Sequence, residues 1–139
     1  MTIDLSKLIT AADKLAQAKA GKLAEINSAA QADVTPYTQA YPAFEKETWA
    51  QQAAEAAAYA ADSSAATPWC DLAASKRDID RVTFIQKVAS KAAAFVQISA
   101  TVAGYRQGLE DQLDAIDLNA ADAAAQIAAI TYTSPLTPA

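Results

Sequence analysis

Residues 81–116 read RVTFIQKVASKAAAFVQISATVAGYRQGLEDQLDAI. Val88, Phe95, Val102, Leu109 and Ile116 stand seven residues apart, and all five are apolar. Ile85, Ala92, Ser99, Arg106 and Leu113 form the adjoining row. Positions seven apart return to nearly the same side of an α-helix, so the pattern predicts one long helix with a single buried seam. Ser99 and Arg106 interrupt the second row. That argues against a strict two-stranded zipper and for a helix packed in a hairpin or small bundle with coiled-coil-like contacts. Asp80 is placed to cap its start. Ala100, Gly104 and Gly108 sit four apart on another face, where they either admit a close neighbour or are tolerated small residues.

Outward from this helix the chain stays helical. Of its 139 residues, 38 are Ala and only three are Gly and five Pro. Ala has the highest helix propensity, so long helices are the expected class, and the fold class read here is all-α. Leu5, Leu8, Ile9, Ala12, Leu15, Leu23, Ile26 and Ala30 recur at helical spacing, predicting a first helix over 4–31 with a break or kink at Asp33-Val34-Thr35-Pro36. Residues 37–41 resume briefly, and Pro42 opens a loop. Thr48-Trp49-Ala50-Gln51 has the form of a capping box, so a helix should run from Trp49 to about Asp62. Thr67-Pro68 reads as N-cap plus first-turn proline for a short helix to about Arg77. Asn119 is placed to cap a weak final helix over 120–130. Residues 131–139, TYTSPLTPA, are read as an extended or disordered tail. The expected organisation is a helical domain over 1–130 and the tail over 131–139.

Several function classes are excluded or disfavoured by composition. There is no His, which removes Ser-His-Asp and Cys-His catalysis and every His-ligated metal site. A single Cys allows no internal disulfide and no Cys-cluster site. Cys70 at a helix start is either a packed thiol or an activated one, and without His or a second Cys the packed thiol is the simpler reading. The carboxylate pairs Glu45/Glu47, Asp78/Asp80 and Glu110/Asp111 have nothing to converge them and read as solvated faces. No catalytic, cofactor-binding or metal-ligating residue is expected, no cofactor is implied, and the chain is read as a non-enzyme. A net charge of −5 disfavours nucleic acid as a partner. The N-terminus mixes acid and base ahead of any apolar run, and no long apolar stretch follows, so neither a signal peptide nor a membrane span is expected.

Charge is nevertheless uneven. Lys7, Lys14, Lys19 and Lys22 lie on the first helix, whereas Glu110, Asp111, Asp114 and Asp117 end the long one, with no basic residue after Arg106. Acids at a helix C-terminus oppose the macrodipole. The two sets are therefore expected to lie side by side, within one chain or between subunits. In an Ala-rich chain the aromatics carry much of the burial and equally the contact energy of any interface. The partner-contact candidates are Trp49, Tyr59, Trp69, Phe95, Tyr105 and Arg106, together with Tyr132 and Leu136 in the tail.

One resemblance bears on function. Tyr41-Pro42, Glu45, Thr48-Trp49, Gln52, Glu55-Ala56, Tyr59, Ala61-Asp62 and Thr67-Pro68 come first, then Asp80, Val88, Lys91-Ala92, Phe95, Tyr105-Arg106-Gln107 and Leu109-Glu110-Asp111. This series is similar to small helical proteins encoded beside tail-fibre genes in tailed bacteriophages and prophages, described as tail-fibre assembly proteins or chaperones. The resemblance covers residues 41–116 well and the first 40 loosely, and it brings no active-site residues. It implies a protein that holds or caps fibre chains through a helical face. The alternative is a structural subunit of the tail, such as a helical adaptor or tip component present in the virion. The partner implied is a tail-fibre or other tail protein, with a homo-oligomer as a further option. The implied location is the host cytoplasm during assembly, with retention in the virion tail under the alternative.

Overall fold

The computed structural model describes residues 10–136. Six helices occur among them and no strand: α1 (Ala11–Thr38), α2 (Ala43–Lys46), α3 (Trp49–Ala61), α4 (Pro68–Arg77), α5 (Arg81–Asp114) and α6 (Ala123–Ala129). The all-α class and the long helix follow the sequence pattern. The expected first turns of helix one, including Leu5, Lys7, Leu8 and Ile9, lie outside the described residues, as do the last three positions of the expected tail, 137–139.

Two compact units divide the chain. One is built from the chain up to Val34 and from Thr101 onward, the other from Thr35–Ala100. Each has its own core. In the first, Ile26, Leu109, Leu113, Ile127 and Ile130 are buried together, with Leu15, Leu23, Tyr105, Ile116, Leu118 and Tyr132 packed against them. In the second, Ala56, Cys70, Ala74, Phe84, Ile85 and Val88 form the core, flanked by Tyr59, Trp69, Ala73 and Ile79. The apolar row serves both: on α5 Val88, Val102 and Leu109 are buried and Phe95 half-buried, and Ile116, two residues past the end of α5, is half-buried. On the adjoining row, Ser99 and Arg106 are half-buried between buried Ile85 and Leu113. Gly104 and Gly108 have open space where a side chain would project, so no close helix contact among the described residues uses them.

In the first unit, Lys19 Nζ lies 3.0 Å from Asp114 Oδ1, and Arg106 donates to Asn27 Oδ1 at 3.0 Å. Eight residues forward along α1 correspond to eight residues back along α5, so the two segments run antiparallel. The expected meeting of the lysine stripe with the acidic helix end thus occurs within the chain, through Lys19. Lys22 instead pairs with Glu25 on its own helix. A double-mutant cycle on Lys19 and Asp114 should give a coupling of about 0–1 kcal/mol, because both side chains remain partly exposed. The coupling should shrink in high salt. Chemical denaturation measures it, and a coupling that does not respond to salt would deny the pair any electrostatic role.

Three local expectations change. The first helix runs past 31 and through Pro36 to Thr38, so of the break or kink expected at 33–36 no break occurs. Proline in the last turn forfeits only the bond to the carbonyl four residues back, and the helix stops two residues later. Pro42 opens the short α2 and not a loop. Asn119 does not cap the last helix; Asp122 occupies that position, without a side-chain cap bond. Asp80 does cap α5, its Oδ2 accepting from the Thr83 N–H at 3.1 Å.

The tail is extended and tied down over 131–136. Tyr132 donates its hydroxyl to Asp33 Oδ2 at 2.6 Å, Ser134 donates to Asp33 Oδ1 at 2.8 Å, and the Thr133 N–H donates to the Tyr105 hydroxyl at 3.1 Å. The Tyr105 and Tyr132 rings meet edge to face at 5.1 Å. Burial, and then the bond to Asp33, push the Tyr132 phenol above the ordinary tyrosine range.

Candidate functional site

The second unit carries the candidate site. Its floor is the face of α5 from Phe84 through Val88, Ala92 and Phe95 to Ile98, and its walls come from the end of α1, from α3 and from α4. These elements enclose a groove of about 770 Å³. The ring of Trp49 lines it, edge to face with Tyr41 at 5.2 Å and with Phe95 at 5.3 Å. Trp69 tilts against Phe84 at 6.2 Å. The large exposed apolar side chains among the described residues, Tyr37, Phe44, Leu72 and Val96, all belong to this unit, and Tyr37 and Val96 line the groove. Arg77, Lys87 and Lys91 also line it, with Glu45 as the single acid. Lys91 Nζ lies 5.4 Å from the centre of the Tyr41 ring, within cation–π range.

The walls are fixed by a buried carboxylate. Glu55, 8% exposed on α3, accepts the Cys70 N–H at 3.0 Å and the Trp69 N–H at 3.3 Å. These are free amides of the first turn of α4, and a negative charge suits that end of the helix dipole. Gln51 Nε2 donates to Glu55 Oε2 at 3.2 Å. The capping role expected of Thr67 is therefore filled by Glu55, and Thr67 makes no side-chain cap bond. The buried Thr67 hydroxyl instead donates to Asp71 Oδ1 and accepts from Arg81. Arg81 also pairs with Asp71, donates to the Ala65 carbonyl and covers the Tyr59 ring at 5.2 Å. Bonds from Thr67 and then Arg81 hold the Asp71 carboxyl below the usual range.

Thr48 likewise differs from the expected capping box. Its backbone is already near-helical, because α2 runs almost directly into α3. Its hydroxyl donates back to the Glu45 carbonyl at 2.7 Å and accepts from Gln52 Nε2 at 2.9 Å.

The structure sorts the partner-contact candidates. Trp49, Trp69 and Phe95 converge in the groove. Tyr59 lies under Arg81 instead. Tyr105 and Tyr132 fasten the tail, Arg106 is spent on Asn27 and Glu110, and Leu136 is half-buried. Tyr37, Tyr41, Lys87 and Lys91 line the groove without a place among the candidates read from sequence. Lys87 and Lys91 stand one turn apart beside the apolar row, a pairing that marks one edge of that row as cationic.

A family model described as the HI1402 helical domain matches residues 90–131. The match runs from within α5 through α6. No curated protein and no solved structure matches the chain.

Among the described residues no group of three or more Cys, Asp or Glu is placed to hold a metal ion, and no helix is long and apolar enough to cross a membrane. Cys70 is fully buried, and burial followed by the Glu55 charge raises its thiol from 9.0 to about 11. The thiolate that nucleophilic chemistry needs is thus disfavoured.

Cys70 and Tyr132 together set an alkaline limit. Each holds its proton more tightly in the folded chain than in the unfolded one, so their contribution is intact below about pH 9 and is lost as pH rises through the folded values. Urea midpoints measured at pH 8 and at pH 10.5 should show this fall. Tyr132→Phe should reduce it, even if that variant starts from a lower midpoint. An unchanged slope in Tyr132→Phe would show that its phenol does not contribute.

Proposed function

We propose that this chain is a non-enzymatic assembly protein of tailed bacteriophages, one that holds tail-fibre chains in the Trp49 groove. The observation that carries the reading is an open aromatic groove in a unit that also bears the chain's exposed apolar side chains. Apolar surface of this kind, rimmed by charge, is a common feature of protein-docking sites. The resemblance of residues 41–116 to tail-fibre assembly proteins supplies the partner class. Most of the groove lies within that segment, and Tyr41, Trp49, Lys91 and Phe95 all belong to the series that carries the resemblance.

The test is co-expression with tail-fibre chains followed by affinity purification. Fibre chains should co-purify with the wild-type protein and be lost with Trp49→Ala, by about tenfold or more for an aromatic hot spot. Failure of the wild-type protein to retain any fibre chain would reject the reading. If the protein is instead present stoichiometrically in purified particles, it is a structural subunit of the tail.

A further inference from the structure

The groove has an uneven chemistry that narrows what can fill it. Arg77, Lys87 and Lys91 line both the groove and a shallow polar hollow beside it, so they form the ridge between the two. Lys19, Lys22, Arg81 and Arg106 each have a carboxylate partner, whereas Arg77 and Lys87 pair with no described residue. The chain as a whole carries −5, yet along this ridge Arg77 and Lys87 have no ion-pair partner among the described residues. The walls are helices whose backbone groups are bonded internally, and no strand edge occurs among the described residues. An extended peptide lying on this floor would leave its own N–H and C=O groups facing apolar side chains. A helix satisfies its backbone internally and offers only side chains. From Phe84 to Ile98 the floor follows one face of α5 for about 21 Å, or about four helical turns.

We infer that the groove takes an acidic amphipathic α-helix from another polypeptide chain, its apolar stripe on Trp49 and Phe95 and its carboxylates along Arg77, Lys87 and Lys91. This rests on the reading of the groove as the docking face and specifies the chemistry of its occupant. The mode is helix-in-groove recognition, in which apolar anchors at successive turns supply affinity and flanking charge supplies direction and selectivity.

Both tryptophans of the chain line the groove, so their emission reports occupancy directly. Two synthetic peptides of about 15 residues, with Leu at i, i+4, i+7 and i+11 and flanking positions either all Glu or all Lys, provide the probes. The full chain is titrated with each at low salt. The Glu peptide should shift the tryptophan emission and bind about tenfold or more tighter than the Lys peptide, and Arg77→Glu with Lys87→Glu should reverse that order. Equal binding of the two peptides, tighter binding of the Lys peptide, or no emission change with either overturns the inference. So does concentration-dependent self-association of the chain with the same emission change, which would make a second copy the occupant. If fibre chains still co-purify in a Trp49-dependent way while the peptides fail, only the occupant's chemistry is wrong. If both fail, the docking reading falls with it.

Discussion

Glu55→Ala is expected to lower the unfolding free energy by about 1–3 kcal/mol, the range for leaving a buried hydrogen-bond donor without its acceptor. The substitution removes the acceptor of the Trp69 and Cys70 amides and of the Gln51 side chain. The Cys70 amide is buried and donates to the Glu55 carboxylate, so the substitution takes that acceptor from a buried donor. Glu55→Gln keeps one carbonyl oxygen for Cys70 and should lose less. It also supplies a second readout. The Glu55 charge helps to raise the Cys70 thiol, so that thiol should titrate lower in Glu55→Gln than in the wild type. Urea denaturation followed by circular dichroism measures the first effect, and ultraviolet absorbance of the thiolate the second. A loss under about 1 kcal/mol in Glu55→Ala would mean that the start of α4 is held by something else.

Leu113→Ala should cost about 2–5 kcal/mol in the other unit. Leu113 is 1% exposed and packs among Ile26, Leu109, Ile127 and Ile130, so its loss leaves a cavity bounded by side chains from α1, α5, α6 and the residue that follows α6. Phe95→Ala makes the informative contrast. Both residues lie on the inward rows of α5, but Phe95 is half-buried and faces the groove, where its ring meets Trp49. It should therefore cost less stability than Leu113→Ala despite removing more atoms, and should cost more in partner binding. Thermal or urea melts of the two variants decide the order. A larger stability loss in Phe95→Ala would make Phe95 a core residue and weaken the groove as a docking face.

The long helix is legible in the sequence because its period is a property of one segment. Apolar residues at sevenfold spacing identify the inward row of α5, buried at Val88, Val102 and Leu109 and open to the groove at Phe95, and Asp80 announces its start. That the lysine stripe and the acidic helix end lie side by side is legible from charge placement, but not their antiparallel direction or that the contact is made within one chain, through Lys19. The caps are not legible in the same way. Thr48 and Thr67 have the local form of N-caps, but their hydroxyls are drawn elsewhere, by the Glu45 carbonyl in one case and by Asp71 and Arg81 in the other. Glu55 caps α4 from a different helix, and nothing in local spacing reveals a contact that depends on tertiary packing. The aromatics stand out as a set, and only packing separates them. Trp49, Trp69 and Phe95 face the groove, while Tyr105 and Tyr132 close on each other and fasten the tail.

Hydrogen–deuterium exchange of the full chain, with and without bound tail-fibre chains, decides whether the Trp49 groove is the docking face. Amide exchange slows where a partner excludes water or suppresses local opening. Added protection is expected in α3 and in α5 between Phe84 and Ile98, with residues 123–133 unchanged. Protection confined to α6 and the tail, with the Trp49 groove exchanging as in the free protein, would contradict it.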